Sequence, residues 1–295
     1  MNDEVEQKRE RSQARQKMPL LLRIMRWYFS IVGRLLPGKA ARKAYKLWFR
    51  TQRFNEPQRE TRWLASAKQD VIEHRYGPLS VSRWGEEGPT VLLIHGWNGR
   101  GSQMGAFAAP LVKAGYRVVT YDLPAHGRSP GNSTNVLKAI ETLQTVAGIY
   151  GPIHGIVSHS FGGMVTSVAL TAGLVVNRVV CIGTPGSLQG LFKRFVSFLA
   201  IPDATLVRLN QMIVRDMGAD IWNRISLVNA SQELITPALI IHDEFDADVD
   251  WREAEAIANS WKGARFMKTS GLGHRRILRD PEVVAAVVSF MDEKE

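Results

Sequence analysis

The chain has 295 residues, a single cysteine and a formal net charge of +10. One cysteine excludes an intrachain disulfide and a cysteine-rich metal site. The length suits one large domain or two small ones, and the 45% hydrophobic share is ordinary for a soluble globular protein. Residues 1–62 hold sixteen basic and six acidic residues, a net of +10, so residues 63–295 are neutral. The basic character is therefore a property of the N-terminal segment alone.

The N-terminal segment predicts two amphipathic helices, over residues 18–36 and 39–54, on either side of Pro37-Gly38. Arg23, Arg26 and Arg34 interrupt the first apolar stretch, which disfavours a membrane span because each arginine is costly inside a bilayer. No small-residue cleavage site follows cleanly, which disfavours a signal peptide. A helical arm packed on the domain or on a partner, and a helix lying on a membrane surface, both stay open. No nucleic-acid partner is expected, because no recognised binding fold accompanies the charge.

Beyond Asp70 the pattern becomes an alternation of strands and helices. A hairpin is predicted over 71–76 and 79–84, then strands over 90–94, 117–121, 153–158, 177–182, 238–242 and 265–269, with helices over 102–114, 134–149, 162–173, 252–261 and 281–292. This alternation indicates right-handed crossovers and a parallel sheet. Residues 188–235 have helical apolar spacing and no clear strand. Cys181 falls in an apolar run and is predicted to be a buried thiol.

The segment Ser158-His159-Ser160-Phe161-Gly162-Gly163 predicts a nucleophile elbow. An apolar run, 155–157, leads into it and a helical run, 164–170, leaves it. A serine on a sharp turn between a strand and a helix presents its hydroxyl above the sheet, and the next backbone N–H points to where an oxyanion would form. The turn needs small neighbours two positions on either side. Gly162 is one of them, and Ser158 stands where glycine is usual.

Together with the elbow, four further motifs resemble the α/β-hydrolase superfamily, in its compact serine esterase, thioesterase and haloperoxidase-like branch. Besides the elbow, the strand and oxyanion loop 90–97, the strand end 121–129 (with Ala125 where glycine is usual), the acid strand and loop 237–246 and the histidine loop 273–276 carry the resemblance. It implies an α/β fold with a mostly parallel central sheet flanked by helices. The predicted organisation is a basic, helical N-terminal extension over 1–65, a core over 66–187 and 236–295, and a helical cap over 188–235.

The resemblance also implies a triad in the order serine, acid, histidine. Ser160 is the predicted nucleophile. His274 is the predicted base, because it lies in the flexible loop after the last strand, where a side chain can reach over the sheet. The resemblance points to Asp246 as the acid, with Asp243 and Asp248 as alternatives. The backbone N–H groups of Trp97 and Phe161 are the predicted oxyanion donors.

These residues predict a cytoplasmic serine hydrolase that cleaves carboxylic esters through an acyl-enzyme, with no cofactor and no metal. Thioesterase, amidase and cofactor-free perhydrolase or haloperoxidase activities use the same machinery and stay open. A protein of another class, non-catalytic and membrane-associated, would retain the fold without the chemistry. Peripheral membrane contact through the basic segment is compatible with either prediction.

Overall fold

The computed structural model describes residues 19–293 and centres on one eight-stranded sheet. The strands are β1 (Lys68–Ile72), β2 (Leu79–Trp84), β3 (Thr90–Ile94), β4 (Arg117–Tyr121), β5 (Ile153–His159), β6 (Arg178–Ile182), β7 (Ala238–Asp243) and β8 (Arg265–Thr269). Their order across the sheet is β1-β2-β4-β3-β5-β6-β7-β8. The pairs β1–β2 and β2–β4 are antiparallel, and the other five neighbouring pairs are parallel. The predicted α/β class and mostly parallel sheet are confirmed.

Helices precede, connect and follow the strands of the sheet. They are α1 (Leu20–Leu35), α2 (Pro37–Trp48), α3 (Gln58–Ala65), α4 (Ala108–Lys113), α5 (Val136–Tyr150), α6 (Phe161–Thr171), α7 (Leu188–Leu199), α8 (Asp203–Met217), α9 (Ile221–Arg224), α10 (Leu227–Ser231), α11 (Trp251–Ser260), α12 (Gly273–Arg276) and α13 (Pro281–Asp292), with 3₁₀ turns at Gly101–Phe107 and Ile277–Arg279. Side-chain caps fix several starts: Asn135 accepts from the Lys138 N–H, and Asp280 accepts from the Val283 N–H.

Two predicted elements differ in detail. β1 runs over Lys68–Ile72 rather than 71–76, because the chain then turns and the Gly77 N–H donates to the His74 carbonyl at 2.8 Å. The predicted α-helix over 102–114 begins as a 3₁₀ turn and becomes α-helical only at Ala108. Glycines at 101 and 105 weaken an α-helix there.

The central strands are hydrophobic on both faces because helices cover both sides of the sheet. All five residues of β3 and all five of β6 are buried, as expected of parallel strands. Cys181 lies in β6 and is buried, and its burial raises the pKa of the thiol to about 11. It is therefore an inert core side chain, as the sequence predicts.

By their contacts, the described residues divide into two units. One contains α1 and α2 together with residues 191–219, and the other contains residues 49–190 and 220–293 with the whole sheet. Residues 49–65 thus group with the strands, whereas the sequence assigns them to the N-terminal extension; the predicted domain boundaries stay a prediction. Within residues 19–293, no helix is long and apolar enough to cross a membrane.

Residues 49–57 run extended along the sheet unit, which is why α2 stops at Trp48 and not near residue 54. The Thr51 N–H donates to the Asn132 carbonyl, and the Thr51 hydroxyl donates to the Ala125 carbonyl at 2.7 Å. The Arg53 guanidinium donates to the carbonyls of Gly127 and Ser129. These bonds tie the segment to the loop that follows β4.

Candidate active site

Ser160 stands on a strained turn between β5 and α6. Its backbone angles are φ 52° and ψ −121°, in a region that side-chain-bearing residues adopt only when the surroundings impose it. A Cβ at Gly162 would lie 2.7 Å from the Ile94 carbonyl oxygen and 2.8 Å from that of His95. The turn therefore requires glycine at 162, as the elbow motif predicts.

Ser158 fits where the motif usually has glycine because its hydroxyl has a partner. It is fully buried, and its Oγ donates to the Val180 carbonyl at 2.9 Å in the neighbouring strand β6. The departure from the usual motif leaves no buried hydroxyl unsatisfied. Ser158 therefore supports the turn from inside the sheet.

His274 and Asp246 meet at the carboxyl edge of the sheet, beyond β8 and β7. The His274 Nδ1 lies 2.6 Å from the Asp246 Oδ2. A carboxylate can only accept, so Nδ1 carries the proton and Nε2 is left as the basic nitrogen. A Cβ at Gly183, in the loop after β6, would lie 3.3 Å from that Nδ1 and 3.5 Å from that Oδ2. Glycine at 183 therefore leaves room for the pair.

The Asp246 carboxylate is held by the loop that carries it. Its Oδ1 accepts the N–H groups of Asp248 at 2.8 Å and Val249 at 3.0 Å. The His242 Nε2 lies 3.3 Å from Oδ2. Burial alone would raise the pKa of Asp246, but the hydrogen bonds from His242 and His274 and the nearby His274 charge lower it well below its usual range. The carboxylate therefore stays ionised and keeps His274 oriented.

The two alternative acids have other partners. The Asp248 side chain is half-exposed and pairs with Arg275 at 3.3 Å. Asp243 is fully buried and accepts four hydrogen bonds. The donors are the N–H groups of Phe245, Leu272 and Gly273 and the Thr269 hydroxyl. Asp243 therefore fastens the end of β7 to the loop that presents His274, a role that the sequence did not indicate.

Replacing Asp243 with asparagine is expected to lower kcat about 10- to 100-fold on an ester substrate, because an amide group turns one acceptor into a donor that faces N–H groups. The His274 loop would shift, and a displacement of about 1 Å can cost that much. Thr269→Val removes one of the four donors and serves as the matched control, with a small loss. Wild-type kcat in Asp243→Asn would contradict this role.

His159 contacts the His274 loop from the other side. Its Nε2–H donates to the His274 carbonyl at 2.8 Å, and the two ring centroids are 4.6 Å apart. Burial, and then the nearby His274 charge, lower the pKa of His159 to about 3. The ring is therefore neutral, and its buried Nδ1 has no hydrogen-bond partner among residues 19–293.

The predicted oxyanion residues lie together. The rings of Trp97 and Phe161 are in edge-to-face contact with centroids 5.1 Å apart. A Cβ at Gly96 would lie 2.9 Å from the Ser160 Cβ, so the loop after β3 approaches the serine closely. His95 supports this loop: its Nδ1 contacts the Gly96 carbonyl, and its Nε2 accepts from the Leu123 N–H.

The same loop is anchored by a buried ion pair that the sequence did not indicate. The Arg100 Nε donates to the Glu60 Oε2 at 2.7 Å, and the Ser102 hydroxyl donates to the same oxygen. The Gln52 N–H donates to the Asn98 side chain, and the Asn98 backbone adopts a positive φ of 57°. Glu60 and Gln52 lie far from Arg100 in sequence, so no local pattern could have revealed the pairing.

The sheet order, the strained serine after β5 and the histidine–carboxylate pair beyond β7 and β8 are features of the α/β-hydrolase class of proteins. A model of the alpha/beta hydrolase family matches residues 91–287. The chain belongs to this family.

Two curated relatives carry the name pimeloyl-(acyl-carrier protein) methyl ester esterase. The one from Methylococcus capsulatus is 37% identical over 105 residues, which is 33% of this chain and 38% of the relative. The one from Aromatoleum aromaticum is 26% identical over 250 residues, 68% of this chain and 96% of the relative. A crystal structure described as a membrane phospholipase A is similar in fold, with a TM-score of 0.61 at 19% identity over 88% of this chain and 93% of that one.

Proposed function

We propose that the protein is a serine hydrolase that cleaves carboxylic esters, with Ser160 as nucleophile, His274 as base and Asp246 as the acid that orients it. The observation that carries the proposal is the 2.6 Å bond between His274 Nδ1 and Asp246, in a chain whose Ser160 occupies a strained elbow. In the neutral imidazole this bond places the proton on Nδ1, so that Nε2 is the nitrogen that can accept one, as a general base requires.

In the proposed reaction the Ser160 Oγ attacks the ester carbonyl while His274 Nε2 takes its proton. The carbonyl oxygen becomes an oxyanion bound by the N–H groups of Trp97 and Phe161. The intermediate collapses, the bond to the alcohol oxygen breaks, and His274 returns the proton to the leaving alcohol. A water molecule, deprotonated by the same nitrogen, then attacks the acyl-enzyme and releases the carboxylic acid.

The ionised Asp246 contributes by stabilising the imidazolium that forms in each proton transfer. Oxyanion donors of this kind are typically worth about 10²–10³ in kcat each. Trp97 and Phe161 therefore matter through the position of their backbone N–H groups. Bonds of Asn98 and Arg100 hold the loop that carries Trp97.

The names of the curated relatives support an ester of a carboxylic acid as the substrate class. Thioesters, amides and peroxyacid formation use the same groups and are the alternative activities. Some enzymes of this fold use an aspartate as the nucleophile, but their reactions are not proposed for this protein, because its elbow carries serine. A second candidate function is a non-catalytic, membrane-associated protein, and the basic N-terminal segment is the observation that supports it. In either case we propose a cytoplasmic location with peripheral membrane contact.

Turnover of a matched substrate series tests the proposed reaction. Wild-type protein is expected to hydrolyse p-nitrophenyl esters with an initial burst of nitrophenol equal to the enzyme concentration whenever deacylation is slow. Turnover of a thioester and an anilide of the same acyl group shows which of the alternative activities the protein prefers. Turnover of esters with longer acyl chains shows which chain length the substrate pocket accepts. Absence of turnover on every member of the series would contradict the enzyme proposal and favour the non-catalytic one.

A further inference from the structure

Helix α1 has two apolar faces, of which only one packs against other residues within the described range 19–293. Phe29 and Gly33 are buried on the inner face. A Cβ at Gly33 would lie 2.8 Å from the Pro202 ring, and the Gly33 carbonyl accepts from the Thr205 hydroxyl at 2.8 Å. These contacts to α8 account for the inner face and leave the outer face unexplained.

The outer face of α1 is a continuous apolar stripe. Its members recur at helical spacing and are between 40% and 74% exposed: Leu20, Ile24, Trp27, Ile31 and Leu35, with Leu21 beside them. At 100° per residue the first five fall within about 80° of one another around the helix. Helices on the surface of soluble proteins normally turn polar residues outward, and a row of large exposed apolar side chains marks an interaction surface.

Basic side chains border this stripe. Arg23 and Arg34 are exposed next to it on α1, and α2 exposes a row of four: Lys39, Arg42, Lys43 and Lys46. Lys43 Nζ lies 5.1 Å above the Tyr28 ring, which places that row beside α1. Residues 11–55 contain twelve Lys and Arg and no Asp or Glu. The surface therefore combines exposed apolar side chains with uncompensated positive charge.

We propose that this outer face of α1, with the basic row of α2, binds the surface of an anionic phospholipid bilayer. Apolar side chains would enter the acyl boundary, Trp27 would lie at the interface, and the basic groups would meet lipid phosphates. A second copy of the chain fits less well, because it would bring two surfaces of the same positive charge together. The proposal deepens the peripheral contact proposed above and is independent of the triad.

The stripe can be altered without loosening its helix. Arg26 Nη1 donates to the carbonyls of Ser197 and Phe198 at the end of α7, and the Tyr45 hydroxyl donates to Asp216 on α8 at 2.6 Å. These bonds hold α1 and α2 to α7 and α8 without any side chain of the stripe. Serine substitutions at Trp27 and Leu35 therefore leave the packing of this unit in place.

Co-sedimentation of the full chain with vesicles of phosphatidylcholine, alone or mixed with phosphatidylglycerol, tests the proposal. Wild-type protein is expected to sediment with the anionic vesicles and to dissociate as salt is added, since screening weakens such contacts. The double variant Trp27→Ser/Leu35→Ser should lower the partition coefficient onto the anionic vesicles at least tenfold. Arg23→Gln/Arg34→Gln should lower it about thirtyfold at low salt, at the typical strength of two basic groups on an anionic surface.

Val175→Ser/Ile235→Ser is the matched control, because these side chains are 81% and 82% exposed and lie in the sheet unit. It should bind vesicles like wild type. Unchanged binding of the Trp27/Leu35 variant, or a wild-type dimer that the same variant dissociates, would overturn the proposal. Turnover of a soluble ester should be the same in all three variants and is measured in parallel. Vesicle binding without any turnover would then refute the enzyme proposal alone.

Discussion

Ser160→Ala is expected to lower kcat for a short p-nitrophenyl ester by about 10⁶, with little change in the thermal unfolding midpoint. The hydroxyl is the group proposed to attack the ester, and losing a triad serine removes the covalent route altogether. The backbone turn depends on Gly162 and on the Ser160 N–H, which donates to the Ile182 carbonyl at 2.9 Å. Alanine keeps both, so the fold should survive. Residual turnover would come from the oxyanion donors and binding alone.

Ser158→Ala is the control for this experiment. The Ser158 hydroxyl is buried and donates to Val180 in the sheet, so its loss is expected to cost about 1 kcal/mol of stability and to leave kcat near the wild-type value. Full activity in Ser160→Ala, or inactivation by Ser158→Ala alone, would refute the assignment of the nucleophile. The two serines are two residues apart, which makes the comparison stringent.

Asp246→Asn is expected to lower kcat by about 10⁴ at neutral pH. The asparagine amide can donate to His274 Nδ1, which would stabilise the tautomer with its proton on Nε2 and remove the base. The loss of charge also leaves the imidazolium without its partner. Because Asp248 and Val249 donate to the other carboxylate oxygen, the side chain cannot rotate freely to relieve the effect. The measurement is kcat on the same p-nitrophenyl ester, with the wild-type protein alongside.

Asp248→Asn separates the acid from its neighbours. Its side chain is half-exposed and pairs only with the exposed Arg275 among the ion pairs found in residues 19–293, and such surface pairs contribute little. Activity within about twofold of wild type is expected. If Asp248→Asn cost as much as Asp246→Asn, the acid would have to be reassigned.

Ser160 could be predicted from sequence because its signature is local. A strand, a serine, two glycines and a helix lie within a few residues, and the turn they specify is the one observed. Alternating strands and helices likewise predicted the parallel sheet, since each element carries its own hydrophobic period. The position of His274 at this edge of the sheet was predictable for a similar reason, because it lies in the loop that follows the last predicted strand.

The acid could not be fixed from sequence because five carboxylates, from Asp243 to Asp250, share one loop. Which of them faces His274 depends on the path of that loop in three dimensions. The four hydrogen bonds of Asp243 come from residues up to thirty positions away, and the Glu60–Arg100 pair spans forty. Such contacts leave no spacing pattern in the sequence. They are set by the packing of distant segments.

The division of the N-terminal segment into the helices α1 and α2 and the extended residues 49–57 could not be predicted from the sequence either. Its charge predicted a helical appendage, and α1 and α2 are helices as expected. Residues 49–57 also have a net positive charge but run extended, because Thr51 and Arg53 bond to the loop after β4. Charge could not distinguish the two parts, since both are net basic.

Labelling of the wild-type protein with a fluorophosphonate probe, followed by peptide mass spectrometry, tests the central claim most directly. The probe reacts with a serine that a neighbouring general base activates beside an oxyanion site. One adduct per chain, on the peptide that contains Ser160, is expected, with labelling absent in Ser160→Ala and strongly slowed in Asp246→Asn. An adduct on another serine, or no adduct on a folded wild-type protein, would contradict the proposed triad.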